Sequence, residues 1–219
     1  MRMAEDIKAN PNAKIATLTF NTEQLVNIKN GRDLNGKQVR KPIQLEGYEL
    51  DNEICRIAMK GFRERWRKEY GKSPRHWFIT ELGHGETEHV HLHGIVWEDK
   101  RYKLKGTLLD NIERIWRYGF VGKGKYDVNT GKFDNYVDER TPKYFTKYVN
   151  KIDEMHPGYK QIILTSSGIG KAYLESDKAK DNAWKGKETN QLYQMDKGGQ
   201  LPLPQYFRYK LWTEEQRLS

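Results

Sequence analysis

Apolar side chains recur along this chain with two different periods, and the periods assign the elements. Residues 14–21 (Lys-Ile-Ala-Thr-Leu-Thr-Phe-Asn) are rich in β-branched and aromatic types and predict a strand. Residues 76–81 and 89–97 predict two more. Gly83-His84-Gly85-Glu86-Thr87 between them is turn-like, so the pair reads as a hairpin. Helical spacing governs 51–70, where Ile54, Ile57, Ala58, Phe62 and Trp66 share a side and Gly71 stands as C-cap. A shorter amphipathic helix is predicted over 108–118, with Thr107 as N-cap and Gly119 as its end. Thr141-Pro142 opens a third helix, through about Ile152, because Thr caps and Pro suits the first helical position. Residues 22–48 lack a clear period and read as an irregular connection with room for a short helix. Phe120-Val121 begins another strand, 122–136 form a loop or weak hairpin, and 161–165 form a short strand. Beyond 175 the chain is polar, with Gly198-Gly199, Pro202 and Pro204. Residues 1–175 are therefore expected to form one domain, with 176–219 an extension packed on it or partly mobile.

Charge adds a partner class. The formal net charge is +9 and the pI about 9.4, which favours an anionic partner such as nucleic acid or marks a soluble protein that is merely basic. Aromatics stand beside cations in Arg65-Trp66-Arg67, Arg117-Tyr118, Trp184-Lys185 and Arg208-Tyr209-Lys210. Bases stack on aromatic faces while cations follow the backbone, so this interleaving suits a single strand, although core packing accounts for many of the rings. Cys55 is the one cysteine, so no intramolecular disulfide can form and a reducing, cytoplasmic setting is expected. The first residues lack the apolar run of a signal peptide, and no run is long enough to predict a membrane span.

Candidate chemistry gathers in two segments. The first is Glu88-His89-Val90-His91-Leu92-His93-Gly94-Ile95-Val96-Trp97. Residues two apart on a strand share a face, so His91 and His93 project together, with His89 beside them. Neutral imidazoles are common ligands of divalent metals, but two rarely suffice. If the hairpin turn centres on Glu86, Glu81 lies directly opposite His91 and becomes the third ligand. A mixed carboxylate and imidazole set is compatible with Mg or Mn. His84 and His89 are spare candidates.

The second segment is Tyr144-Phe145-Thr146-Lys147-Tyr148-Val149-Asn150-Lys151, which repeats Tyr-x-x-Lys. Helical spacing puts Tyr144, Lys147, Tyr148 and Lys151 on one stripe. A phenol is a poor nucleophile at neutral pH, with a reference pKa of about 10. A nearby lysine favours the phenolate and can hold a phosphate oxygen. The same spacing also suits an amphipathic helix whose tyrosines only pack.

Together the motifs resemble those of the HUH endonucleases, specifically two-tyrosine rolling-circle replication initiators of microvirus phages and related plasmids. Ala16-Thr17-Leu18-Thr19-Phe20 is similar to the family's Thr-rich strand, His91-Leu92-His93-Gly94 to its His-hydrophobic-His motif, and the doubled Tyr-x-x-Lys to its helix motif. Trp116-Arg117-Tyr118-Gly119-Phe120-Val121 and Ser167-Gly168-Ile169-Gly170 also look similar to segments of that group. The resemblance implies an α+β fold of RRM/ferredoxin-like type, a central antiparallel sheet with flanking helices. It implies a divalent metal, Mn or Mg, and a nick in single-stranded DNA at a replication origin, leaving a 5′-phosphotyrosine and a free 3′-OH for a host polymerase. No Gly-x-x-x-x-Gly-Lys-[Ser/Thr] occurs in the sequence, so duplex unwinding is expected of a separate host helicase. Two other readings compete: a non-catalytic nucleic-acid-binding module, and a transposase of the same superfamily.

Overall fold

The computed structural model describes residues 2–84, 88–129, 131–138, 140–150, 153–195 and 198–218, with backbone alone at 132, 134 and 146–150. Contacts cluster into two compact units, Asn10–Ser167 and a second made of Met1–Ala9 with Gly168–Ser219.

The larger unit is α+β. Its sheet has five antiparallel strands in the order β4-β1-β3-β2-β7, formed by β1 (Ala13–Leu18), β2 (Arg75–Leu82), β3 (Val90–Trp97), β4 (Val121–Gly122) and β7 (Ile163–Thr165). Strand alternation gives the sheet two chemically distinct faces. Ala16 and Leu18 of β1, Phe78 and Leu82 of β2, and Val90, Leu92 and Val96 of β3 form one face, all in the main core. Against it lie α3 (Gly47–Tyr70), through Ile54, Ala58, Phe62 and Trp66, and α4 (Leu108–Trp116), through Leu108, Ile112 and Trp116. The opposite face carries Thr17, Trp77, Ile79, Glu81, His91, His93 and Ile95, which the registers align across β1, β3 and β2. Helix α5 (Thr141–Asn150) meets this face, the Phe145 ring packing edge-on to Trp77 at 5.2 Å. A small hairpin of β5 (Lys125–Asp127) and β6 (Lys132–Asp134) completes the region predicted as a weak hairpin.

Several boundaries differ from expectation for identifiable reasons. Strand β1 stops at Leu18 because Asn21 leaves the ladder to cap α2 (Thr22–Lys29), its side chain accepting the Gln24 N–H. That helix occupies the start of the stretch read as irregular. Helix α4 ends at Trp116, with Arg117 in the left-handed region at φ 59, instead of at Gly119. Gly119 serves a close approach: a Cβ there would lie 2.5 Å from the Thr19 carbonyl oxygen. At α5 the cap is Asp138, whose carboxylate accepts the N–H groups of Arg140 and Thr141 at 2.8 and 3.1 Å.

The second unit has its own core of Tyr173, Ala179, Tyr193, Leu203, Phe207 and Trp212. It contains the helix α1 (Arg2–Ala9), a 3₁₀ turn (Lys171–Glu175), α6 (Asp177–Asp181), the hairpin β8 (Leu192–Gln194) with β9 (Gln200–Pro202), α7 (Gln205–Leu211) and α8 (Glu214–Leu218). Asp6 accepts the Gly170 N–H at 2.6 Å, Arg2 donates to the Ile169 carbonyl at 2.6 Å, and Tyr193 donates to Glu5. The expected boundary after 175 thus falls inside this unit, which begins at Gly168 and recruits the first nine residues. Among the described residues no helix is long and apolar enough to cross a membrane.

His76 belongs to the core and not to any ligand set. Its Nδ1–H donates to the Pro74 carbonyl at 2.8 Å, and its ring is 1% exposed. Burial above all pushes its pKa down to about 4, against the Pro74 bond and with the Arg63 charge. The folded value lies below the unfolded one, so the unfolded chain binds more protons between pH 4 and 6.5 and stability falls as pH drops through that window. The full window is worth about 3 kcal/mol. Urea unfolding at pH 7 and pH 4.5 should show His76→Gln losing much less stability over this interval than the wild type; equal losses would mean that the ring is not neutral in the fold.

Candidate metal centre

Two strands and one register build this site. β3 alternation sends His91 and His93 to the same face, and β2 pairs Glu81 directly with His91. On the other side of β3, Thr17 of β1 pairs with His93. Glu81 Oε2 lies 3.0 Å from His93 Nε2 and 3.5 Å from His91 Nε2. The two imidazoles stand nearly perpendicular at 87°, centroids 4.7 Å apart. Glu81 is buried and the rings are half-buried.

The hydrogen bonds behind the rings orient them. His91 Nδ1 is 3.3 Å from the His89 carbonyl, which can only accept, so Nδ1 donates there and Nε2 is the nitrogen that faces Glu81. His93 Nδ1 meets Thr17 Oγ1 at 2.9 Å, leaving Nε2 towards Glu81. Such partners fix ring angle and tautomer at metal sites. Imidazole nitrogens and carboxylate oxygens bind divalent ions at about 2.0–2.2 Å, which places neighbouring donors about 3 Å apart. The spacing among Glu81, His91 and His93 fits a cation between them. Thr17 is the participant that strand periodicity alone did not single out; its signal is its place opposite His93 in a Thr-rich strand.

His89 does not share this face. It lies before Val90, the first residue of β3, and so outside the strand whose alternation aligns His91 with His93. His89 contributes its carbonyl instead. His84, the other spare candidate, faces Asp153 and not Glu81.

The tyrosine helix is anchored on the same side of the sheet. Phe145 is buried against Trp77, while Tyr144 is half-exposed, its ring 5.3 Å from that of Phe145. Trp77 precedes Glu81 on β2 by about 13 Å of extended strand. Lys147 and Tyr148 lie in the helix at backbone level, Tyr148 one turn beyond Tyr144. Lys151 lies outside the described residues.

The Thr17 bond gives a graded test. Mn²⁺ affinity, read from the paramagnetic resonance signal of the free ion, should fall about tenfold in Thr17→Val, the usual cost of losing an orienting partner. Glu81→Ala should lose more. An unchanged affinity in Thr17→Val would show that the hydroxyl does not position His93.

No protein-family model, no curated protein and no solved structure matches this chain.

Proposed function

We propose that this chain is a metal-dependent tyrosine DNA endonuclease and strand transferase of the HUH type, an initiator that nicks and rejoins single-stranded origin DNA. The observation that carries the reading is the convergence of Glu81, His91 and His93 on the sheet face against which Phe145 anchors the tyrosine helix. A divalent cation, Mn or Mg, held by these three side chains would supply Lewis-acid polarisation of the scissile phosphate. One hydroxyl of the pair Tyr144 and Tyr148 attacks phosphorus as its proton passes to solvent. The bond from phosphorus to the 3′-oxygen breaks, and that oxygen takes a proton to become a free 3′-OH. The 5′-phosphate stays on the enzyme as a phosphotyrosine diester, so the bond energy is kept for rejoining. Lys147 and Lys151 would hold phosphate oxygens. The second tyrosine makes the second cut while the first still holds its end. Host polymerase extends the 3′-OH behind a host helicase.

Surface composition supports a single-stranded partner. Phe120, Tyr126, Phe133 and Tyr136 are all exposed, and the Lys14 ammonium sits 4.0 Å over the Tyr136 ring. Exposed rings with cations beside them suit bases and backbone of one strand.

The deciding experiment uses labelled single-stranded oligonucleotides tiling the replicon that encodes the chain, incubated with Mn²⁺ and resolved on denaturing gels. Wild type should give a band shifted by the mass of a DNA fragment, removed by chelator and absent from the Tyr144→Phe/Tyr148→Phe double variant. Binding of the oligonucleotides without any adduct would overturn the nuclease and leave a non-catalytic nucleic-acid-binding module.

A further inference from the structure

A second group of metal-ligating side chains stands apart from Glu81, His91 and His93. His84 lies two residues past the end of β2, and Asp153 and His156 follow α5. Asp153 Oδ2 is 2.8 Å from His156 Nδ1 and 3.4 Å from His84 Nε2. The two rings are nearly perpendicular at 85°, with centroids 5.5 Å apart. One donor atom from each of the three residues lies within 4.8 Å of the others.

From these contacts we infer that His84, Asp153 and His156 form a second divalent-metal site, which ties the end of β2 to the segment following α5. Two imidazole nitrogens and one carboxylate oxygen, the same donor set as in the first centre, also accept zinc, which serves as the probe. Each donor is already oriented. Asp153 Oδ1 accepts the N–H groups of Met155 and His156 at 3.1 and 3.2 Å, which leaves Oδ2 for the two rings. His84 Nδ1 is 3.1 Å from the Met155 thioether, which leaves Nε2 facing Asp153.

Burial supplies the energetic reason. Asp153 is 6% exposed and His156 7%. A carboxylate removed from water is paired or coordinates a metal. Among the described residues its ion-pair partners are these two imidazoles, and neither a lysine nor an arginine reaches it. A divalent ion would offset the cost of the buried negative charge.

The position gives the ion a structural role. Glu81 lies three residues before His84, and Asp153 three residues after the last residue of α5. A cation here holds the strand of the first centre and the end of the tyrosine helix together, closing the long loop from 84 to 153. The inference does not rest on the nuclease reading, since a structural tie serves either function.

Zinc stoichiometry tests it. Chelator-stripped protein, loaded with Zn²⁺ and freed of excess, should retain two equivalents in the wild type and one in His91→Ala/His93→Ala. Adding His84→Ala to that pair should remove the last equivalent. His84 is the variant of choice because its ring is exposed and its loss leaves the core intact. Zn²⁺ should also raise the thermal midpoint of His91→Ala/His93→Ala and leave that of the triple variant unmoved. A His91→Ala/His93→Ala protein that retains no zinc, or a triple variant that still retains one equivalent, would overturn the second site. Neither result bears on DNA–tyrosine adduct formation, so the two proposals fail separately.

Discussion

The antiparallel register between β2 and β3 is the constraint on which the rest of this structure depends. It sets Glu81 opposite His91 and, in the same act, Phe78 opposite Gly94. A slip of one residue would send every side chain of a strand to the other face. The histidines would then enter the core beside Phe62 and Trp66, while Leu92 and Val96 would be pushed out of it. Gly94 locks the register from the core side: a Cβ there would lie 2.2 Å from the Trp77 carbonyl oxygen and 2.3 Å from the Phe78 ring. The glycine after the second histidine therefore has a packing reason, since only its missing side chain lets the Phe78 ring lie across the neighbouring strand.

The two faces divide the energetic labour. Phe62, Trp66, Phe78, Leu92 and Trp116 are fully buried on one side. Side chains of this size are worth about 1.5–3 kcal/mol each on burial. That side can hold β2 and β3 in place while the other gathers groups that do not stabilise a fold on their own. A buried glutamate beside two imidazoles is costly in the absence of a counter-charge. A rigid scaffold that tolerates this cost is what a preorganised cation site needs, because the donors converge before the ion arrives. Thr17 extends the logic to β1 by fixing the ring next to it.

The site was legible in the sequence wherever chemistry followed a strand period or a short turn. His91 and His93 are two apart, and Glu81 sits at the mirror position of one hairpin, so a single assumption about the turn sufficed. His89 fails the same rule because β3 begins only at Val90, a boundary that no pattern announces. Asp153 and His156 meet His84 only through the tertiary fold, with β3, α4, β4 and α5 between them in sequence, so no local spacing brings them together. Helix α2 was hidden by its weak apolar stripe, although Asn21 three residues before Gln24 is a usable capping signal. The small second unit was hidden for a different reason. Its core is a few rings scattered between 173 and 212, and its closing contacts come from Arg2, Glu5 and Asp6 at the far end of the chain.

Phe145 connects the register to the placement of the tyrosines. Successive residues on an α-helix are turned by about 100°. Burial of Phe145 against Trp77 therefore fixes the rotation of α5 about its own axis as well as its position on the sheet. Tyr144 comes immediately before it and is turned towards solvent, half-exposed, which is the condition a nucleophile for an outside substrate must meet. Were the helix to rotate so as to bury Tyr144, Phe145 would be driven out of its contact with Trp77, at the cost of a large aromatic side chain. Trp77, Ile79 and Glu81 share one strand face, so the residue that sets the rotation of the tyrosine helix and the residue that completes the imidazole pair are carried by the same rigid element. The relation between Tyr144 and the cluster of Glu81, His91 and His93 is thus held by a single strand, β2, paired on both sides and backed by the aromatic core.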